Sequence, residues 1–438
     1  MAWCGIASAH MSSALPPEQR RTVITGLGFI TSIGNNREQV LSSLRECRTG
    51  VEYYPELERT GVTVRLAGTV KGFTFPELRS DEWIFPEEYE IPRAQLRSMS
   101  PNAVYAFCAM KQAIADAKLS PELVSNPRTG AMCASNGSGW LTYEYLDMML
   151  KKGPQRCNPM ALVASIAGTL NMNLVADFGI KGHSLGFSSA CASSAHAMSA
   201  AVDRIRADRQ DILFVVGAED CNLFSILPFV GTRALTTQTD PATSPCAFDR
   251  KRDGFVATGG ATVLVVEELE HARRRGAHIY AEVLGCGEAS DGYSVMAPEP
   301  EGEGLARAME AAIKDANISA GDVDYINAHA TSTPAGDAAE VLAIRRVFGE
   351  KTPYVSSTKS LTGHGLSLAG SMEAAFCCLA LQEKFVPVSA NITELDPEFA
   401  SVSIVTAPIE HEPRLALTNS SGFGGTNVSI ALRKWEQS

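Results

Sequence analysis

A layered α/β fold is what this sequence predicts, and two observations carry the expectation. Short runs rich in Val, Ile and Leu recur without strict alternation, as in central strands covered on both faces. Segments with helical periodicity separate them, the order that lays helices onto a sheet. In chain order, residues 21–26 (RTVITG) read as a buried strand leading into a Gly-containing turn, and residues 101–117 carry apolar side chains at helical spacing. Residues 211–217 (DILFVVG), 261–266 (ATVLVV) and 280–285 (YAEVLG) read as further buried strands. Residues 305–316 are helical, 323–327 a strand, 338–348 helical, and 428–432 the last strand. A charged helix at 267–275 separates an N-terminal half, 21–275, from a C-terminal half, 276–438. The strand opening each half runs into a similar segment, GLGF early and GCGE later, which hints at duplication.

The chain has 438 residues, 45% hydrophobic and 20% charged, so a full core can be buried. Its 38 basic and 49 acidic residues leave a net charge of −11, which argues against non-specific nucleic-acid binding. Eleven Cys residues show no C-x-x-C pair and no zinc-type spacing, a usage that suits a reducing compartment. No stretch is long and apolar enough to span a bilayer. Residues 1–20 lack a basic start and a sustained apolar block, so they read as a loose extension rather than a secretory signal. The cytoplasm is the expected location.

Four clusters could carry chemistry. In Gly186–Ala195 (GFSSACASSA), small residues lead into an Ala-rich helical stretch, which puts Cys191 near a helix N-terminus that favours a thiolate. A buried structural Cys would give the same local pattern. In Asn327–Asp337 (NAHATSTPAGD), His329 ends a strand, and Thr331, Ser332 and Thr333 either bond a substrate arm or cap the next helix. In Ser357–Gly365 (STKSLTGHG), Lys359 and His364 stand with Glu373 of the following helix as a charged network or as a surface ion pair. In Asn419–Asn427 (NSSGFGGTN), dense glycines permit an N–H aimed at an oxyanion, or simply a tight turn. Taken together, one Cys and two His suit a Claisen-type condensation, which needs a thiol, enolate donors and an oxyanion hole.

These four clusters resemble the elongating β-ketoacyl-ACP synthases, nearest to the bacterial type I members, from about Arg21 to Lys434. Phe248-Asp249 with Arg252–Phe255 (RDGF), and residues 265–280, add to the likeness. The resemblance implies a thiolase fold, two similar α/β halves in a five-layer sandwich, and a homodimer. It implies Cys191 as the acyl-accepting nucleophile, with His329 and His364 promoting decarboxylation of malonyl-ACP and stabilising the enolate. Lys359 and Glu373 become the supporting pair, and the N–H groups of Cys191 and Phe423 the oxyanion hole. Thr331 and Thr333 contact pantetheine, and Ser421, Gly422, Phe423, Gly424 and Gly425 form the gating loop. The substrates ride on acyl carrier protein (ACP), the product is the 3-oxoacyl-ACP with CO2 released, and no metal or organic cofactor takes part.

Departures from the family pattern are informative. Ser421 stands where the family has a Phe that gates the acyl pocket. Ala330 replaces a common Gly, and residues 366–370 (LSLAG) replace Leu-Gly-Ala-Ala-Gly. His196 reads as a packed helix residue. A thiolase would place a second Cys in the C-terminal loop, starter-type synthases pair His with Asn, and a chain-length factor lacks the nucleophile, so each fits less well. A ketosynthase of a polyketide or aryl-polyene pathway is the alternative, and a non-condensing partner subunit a further one. Arg65, Lys71, Lys151 and Lys152 are candidates for docking an acidic carrier protein, or else scattered solvated charges.

Overall fold

The computed structural model describes residues 20–436. The expected loose extension lies outside the described residues except for Arg20, which already belongs to the fold. Its guanidinium bonds Asp211 and the carbonyls of Ile205 and Gln210.

The strands are β1 (Thr22–Ile30), β2 (Val51–Tyr53), β3 (Leu66–Gly68), β4 (Thr129–Ala134), β5 (Ser184–Phe187), β6 (Ile212–Glu219) and β7 (Gly260–Glu268), then β8 (Ala281–Ser290), β9 (Tyr325–Asn327), β10 (Tyr354–Ser356), β11 (Ser403–Ile404), β12 (Leu415–Gly422) and β13 (Thr426–Lys434). Apart from the β2–β3 pair, they form one sheet, ordered β11-β10-β9-β12-β13-β8-β1-β7-β6-β4-β5. Its two wings repeat one topology. One runs β1-β7-β6-β4-β5 and the other β8-β13-β12-β9-β10. In each, the first three strands are antiparallel neighbours and the last three are parallel. The wings join where Thr22, Val23 and Ile24 pair with Val283, Glu282 and Ala281.

The wings enclose two helices, Ser193–Arg206 and Ala369–Glu383, which pack on each other. Helix Pro101–Asp116 covers the outer face of one wing and Glu303–Asp315 that of the other. The result is five layers, α-β-α-β-α. Each central strand therefore feeds two cores. Leu213 and Val215 of β6 face the inner core, while Ile212, Phe214 and Val216 face the outer one. That two-sided burial is why the runs read as continuous rather than alternating.

The GLG and GCG segments lie inside β1 and β8, not in turns as the sequence suggested. A Cβ on Gly28 would stand 1.9 Å from the Ala109 carbonyl oxygen, and one on Gly287 would stand 2.1 Å from that of Ala308. These glycines let each outer helix lie against the opening strand of its wing, and they do so at matching places in the two halves. Among the described residues, no helix is long and apolar enough to cross a membrane.

Candidate active site

Cys191 sits in the turn between β5 and the helix starting at Ser193. Ala190 adopts φ 49° there. Ser193 Oγ closes the turn by donating to the Ala190 carbonyl at 2.6 Å while accepting the Ser189 N–H at 2.8 Å. His329 follows the end of β9. Both its N–H and that of Ala330 donate to the buried Glu340 carboxylate, at 2.9 and 2.7 Å, and Asn419 Nδ2 donates to the same group at 3.1 Å. His364 lies beyond the short helix Lys359–Thr362, with its N–H on the Val256 carbonyl at 2.6 Å.

These three side chains, distant in sequence, line one cavity of about 420 Å³. The Cys191 sulfur and one nitrogen of each imidazole lie within 4.8 Å of one another. The two rings meet edge to face, 5.2 Å between centroids at 83°, and Phe255 packs against His364 at 5.3 Å. Among the described residues, this is the one group of His, Cys, Asp and Glu close enough to hold a metal ion.

Burial, followed by the charge of Lys359, holds both imidazoles well below the usual range, and His364 adds to the effect on His329. Both rings are therefore neutral near pH 7, and a neutral imidazole carries one N–H donor and one acceptor. Lys359 bonds the Glu373 carboxylate, both fully buried. Burial raises Glu373 to about 7 against the pull of Lys359. The thiol does not behave as its place before a helix suggested. Burial pushes Cys191 from 9.0 up to about 12, outweighing Lys359 and the Phe423 N–H that reaches its sulfur. A lift of that size corresponds to about 4 kcal/mol, whereas a helix terminus supplies at most ~2 kcal/mol. The free thiol is therefore protonated.

The glycine loop is the hairpin joining β12 to β13. Gly424 and Gly425 adopt φ 84° and 71°, and Phe423 packs on Phe229 with 6.3 Å between ring centroids. A Cβ on Gly422 would meet the Ser189 carbonyl oxygen at 2.5 Å, so only glycine lets the hairpin approach the Cys191 turn this closely. Ser421 lines the cavity, and its Oγ donates to Asn427 Oδ1 at 2.7 Å. Thr331 and Thr333 also line the cavity, their hydroxyls 3.0 Å apart, and Thr333 caps helix Pro334–Phe348 as well. His196 bonds Ser189 Oγ at 2.9 Å and stays on its helix. Among the basic candidates, Lys71 pairs with Glu52, Lys151 with Asp147, and Arg65 bonds local carbonyls.

Two groups escaped the sequence reading. Glu340, three residues beyond the cluster that ends at Asp337, holds the His329 loop. Its signal was a Glu on the inward face of a helix that follows a His-bearing strand end. Glu219 is the other. It ends β6 and accepts from Asn136 Nδ2 at 2.6 Å and from Ser367 Oγ, and burial raises it to about 8.

The family model "Beta-ketoacyl synthase, N-terminal domain" matches residues 19–272, and "Beta-ketoacyl synthase, C-terminal domain" matches residues 280–393. The chain is 41% identical over 421 residues to 3-oxoacyl-[acyl-carrier-protein] synthase 1 of Escherichia coli K12, covering 95% of this chain and 99% of that protein. It is 34% identical to 3-oxoacyl-[acyl-carrier-protein] synthase 2 of Staphylococcus aureus, covering 96% and 99%. It is also similar to the crystal structure of a β-ketoacyl synthase from Burkholderia phymatum, with a TM-score of 0.88, 32% identity, and coverage of 95% and 100%.

Proposed function

The chain belongs to the β-ketoacyl synthase family, and from that premise we propose that it is a 3-oxoacyl-ACP synthase, an acyltransferase that extends acyl chains in fatty-acid synthesis. The observation that carries this reading is the convergence of Cys191, His329 and His364 in one buried cavity. Cys191 takes the acyl group. A C–S bond forms at its sulfur, and the carrier's pantetheine thiol leaves with a proton. The thiol's raised pKa calls for proton removal during attack, and a neutral imidazole within 4.8 Å supplies the acceptor.

Malonyl-ACP then loses CO2. The electrons of the broken C–C bond pass into a thioester enolate, whose oxygen accepts the N–H groups of His329 and His364. The enolate carbon attacks the acyl carbonyl, and the resulting oxyanion accepts the N–H groups of Cys191 and Phe423. Collapse expels the Cys191 thiolate, which regains a proton. Lys359, paired with Glu373, keeps the two imidazoles neutral, and Thr331 and Thr333 bond the pantetheine arm. Nothing in these steps requires a metal or organic cofactor. In this reading, residues 21–275 supply the nucleophile and residues 276–438 the His pair.

The carrier protein is the proposed partner. Arg233, exposed on the cavity rim and without an ion pair among the described residues, suits an acidic carrier better than the paired Lys71 and Lys151. A homodimer in the cytoplasm completes the proposal. In its support, β5 is an exposed edge strand, and Leu146, Leu150 and Leu162 are 55%, 86% and 69% exposed. Ser421 favours a second reading, a ketosynthase of a polyketide or aryl-polyene pathway.

The test is incubation with a series of acyl-ACPs and malonyl-ACP, followed by mass spectrometry, with Cys191→Ala alongside. Extension by the parent alone supports the synthase, and the preferred acyl group separates the two pathways. No acyl transfer to Cys191 from any donor would leave a partner-subunit role.

A further inference from the structure

Glu219 has no part in the steps above, yet it stands where the two halves meet. It is buried at the end of β6, in the half that carries Cys191, and it lies outside the cavity lining. Its Oε1 accepts the Asn136 N–H at 3.2 Å, Asn136 Nδ2 at 2.6 Å, and Ser367 Oγ. Asn136 belongs to the same half, just after β4. Ser367 belongs to the other half, three residues beyond His364. The neighbouring Asp220 makes no such crossing, for it accepts the Asn102 N–H at 2.7 Å and Ser138 Oγ at 2.5 Å within its own half. Ser367 stands in the LSLAG segment where the family pattern has Gly, so its hydroxyl is a departure from that pattern.

His364 is tied directly to the Cys191 half, and a second tie follows it. Its N–H bonds the Val256 carbonyl at 2.6 Å, and its carbonyl accepts the Thr258 N–H at 3.0 Å. The chain then turns through Leu366, at φ 52°, which lines the cavity. The next residue is Ser367, the donor to Glu219. β6 lies close against this stretch, since a Cβ on Gly217 would stand 3.0 Å from Leu368 Cα. The acceptor is a firm anchor because it ends a strand that is buried along its whole length.

We propose that Glu219 is a positioning residue for condensation, which through Ser367 fixes the turn from His364 to Leu366 against the half that carries Cys191. The inference rests on the condensing reading above. The carboxyl works here as a hydrogen-bond acceptor rather than as a charge. Burial raises it to about 8 against the pull of the Ser367 hydroxyl, so near pH 7 it is a neutral acid whose carbonyl oxygen still accepts. All three donors converge on one oxygen, so a glutamine at 219 can serve them equally.

The two half-reactions are measured separately on the full-length enzyme, acylation of Cys191 by acyl-ACP and condensation of the acyl-enzyme with malonyl-ACP, each by mass spectrometry. Ser367→Ala deletes the donor and Glu219→Ala the acceptor. In each variant acylation stays near the parent rate, and condensation slows roughly 10- to 100-fold, the scale set by a misplacement of about 1 Å. Combining the two substitutions costs no more than either alone, because both remove one interaction. Glu219→Gln restores condensation. Ser367→Ala keeps the test decisive if Glu219→Ala does not fold. Unchanged condensation in Ser367→Ala, or equal losses in both half-reactions, overturns the inference and leaves the condensing reading intact. A loss in Glu219→Gln as large as in Glu219→Ala overturns it as well. A parent that neither acylates nor extends overturns the condensing reading, and the inference with it.

Discussion

Replacing Glu340 by Gln tests whether the His329 loop is held by this carboxylate. The substitution keeps the shape and changes one oxygen into an NH2 group. Three donors converge on the native group, the N–H groups of His329 and Ala330 and Asn419 Nδ2, at 2.9, 2.7 and 3.1 Å. The N–H groups of His329 and Ala330 bond different oxygens, so in either amide orientation one of them faces a donor. A buried donor left unsatisfied costs about 1–3 kcal/mol, and Glu340, Asn419 and Ala330 are all buried. We expect a loss of about 2–4 kcal/mol, allowing for donor–donor repulsion on top of that cost. With a urea m-value near ~3 kcal/mol/M, the midpoint moves down by about 1 M. Function separates this from mere destabilisation. Acylation of Cys191 by acyl-ACP, followed by intact-protein mass spectrometry at low urea, stays near the parent rate. Condensation with malonyl-ACP falls at least tenfold because one enolate donor is misplaced. An unchanged urea midpoint with unchanged condensation would refute the positioning argument, and equal losses in both half-reactions would refute its specificity to His329.

Further tests follow the same geometry. His329→Ala and His364→Ala should each accumulate acyl-enzyme without extending it, visible as a persistent mass increment on Cys191. Both imidazoles are held well below their ordinary 6.5 by burial and by Lys359, so protonation should abolish condensation only well below pH 6.5. Lys359→Met removes a cause of that lowering and should shift the acid limb of the rate profile upward. A parent profile that halves at pH 6.5 would contradict the argument. Gly28→Ala and Gly287→Ala each force a Cβ into an outer-helix carbonyl, 1.9 and 2.1 Å away. Each should cost about 1–3 kcal/mol as overpacking, read as similar shifts in urea midpoint. Leu150→Asp, on an exposed face of helix Gly139–Lys152, should shift the sedimentation profile from dimer toward monomer.

Much of this was legible in the residues, for identifiable reasons. The runs at 211–217, 261–266 and 280–285 announced strands because aliphatic side chains filled both faces. Their true bounds, Ile212–Glu219, Gly260–Glu268 and Ala281–Ser290, extend further where small or charged residues dilute the signal. β4 (TGAMCA) gives no strand signal in the residues because Gly and Ala carry no strand preference, although the strand is fully buried. The candidate side chains were visible one at a time, each also readable as a structural residue. What remained hidden was their convergence, and with it the partners that reach a cluster from elsewhere in the chain. Glu340 and Glu219 declare themselves only through donors on other loops. The protonated thiol was hidden too, since burial depends on what packs over the turn.

The duplicated topology explains why a Cys and a His from separate halves meet. In the matched wings β5 corresponds to β10, and each is followed by a loop and then by a central helix, Ser193–Arg206 or Ala369–Glu383. Cys191 lies in the first of these loops and His364 in the second. Because the two helices pack on each other between the wings, their preceding loops are carried to a common place. By the same correspondence β4 matches β9, and His329 follows β9. The site thus combines equivalent strand ends with diverged side chains, one half contributing a thiol and the other a pair of neutral donors beside a buried Lys–Glu pair. Such a division has a testable consequence. A substitution that separates the central helices without touching the cavity, such as Gly370→Val, should uncouple the halves. The Cβ of even an alanine at 370 would stand 2.6 Å from the Ala195 nitrogen, so helix Ala369–Glu383 must move away from the Cys191 helix and carry His364 with it. Acylation, which needs the Cys191 turn and one imidazole to take its proton, should then survive better than condensation, which needs Cys191 and both His within reach of one substrate. If both half-reactions fell together, the two loops would not be acting as separable contributions from two halves.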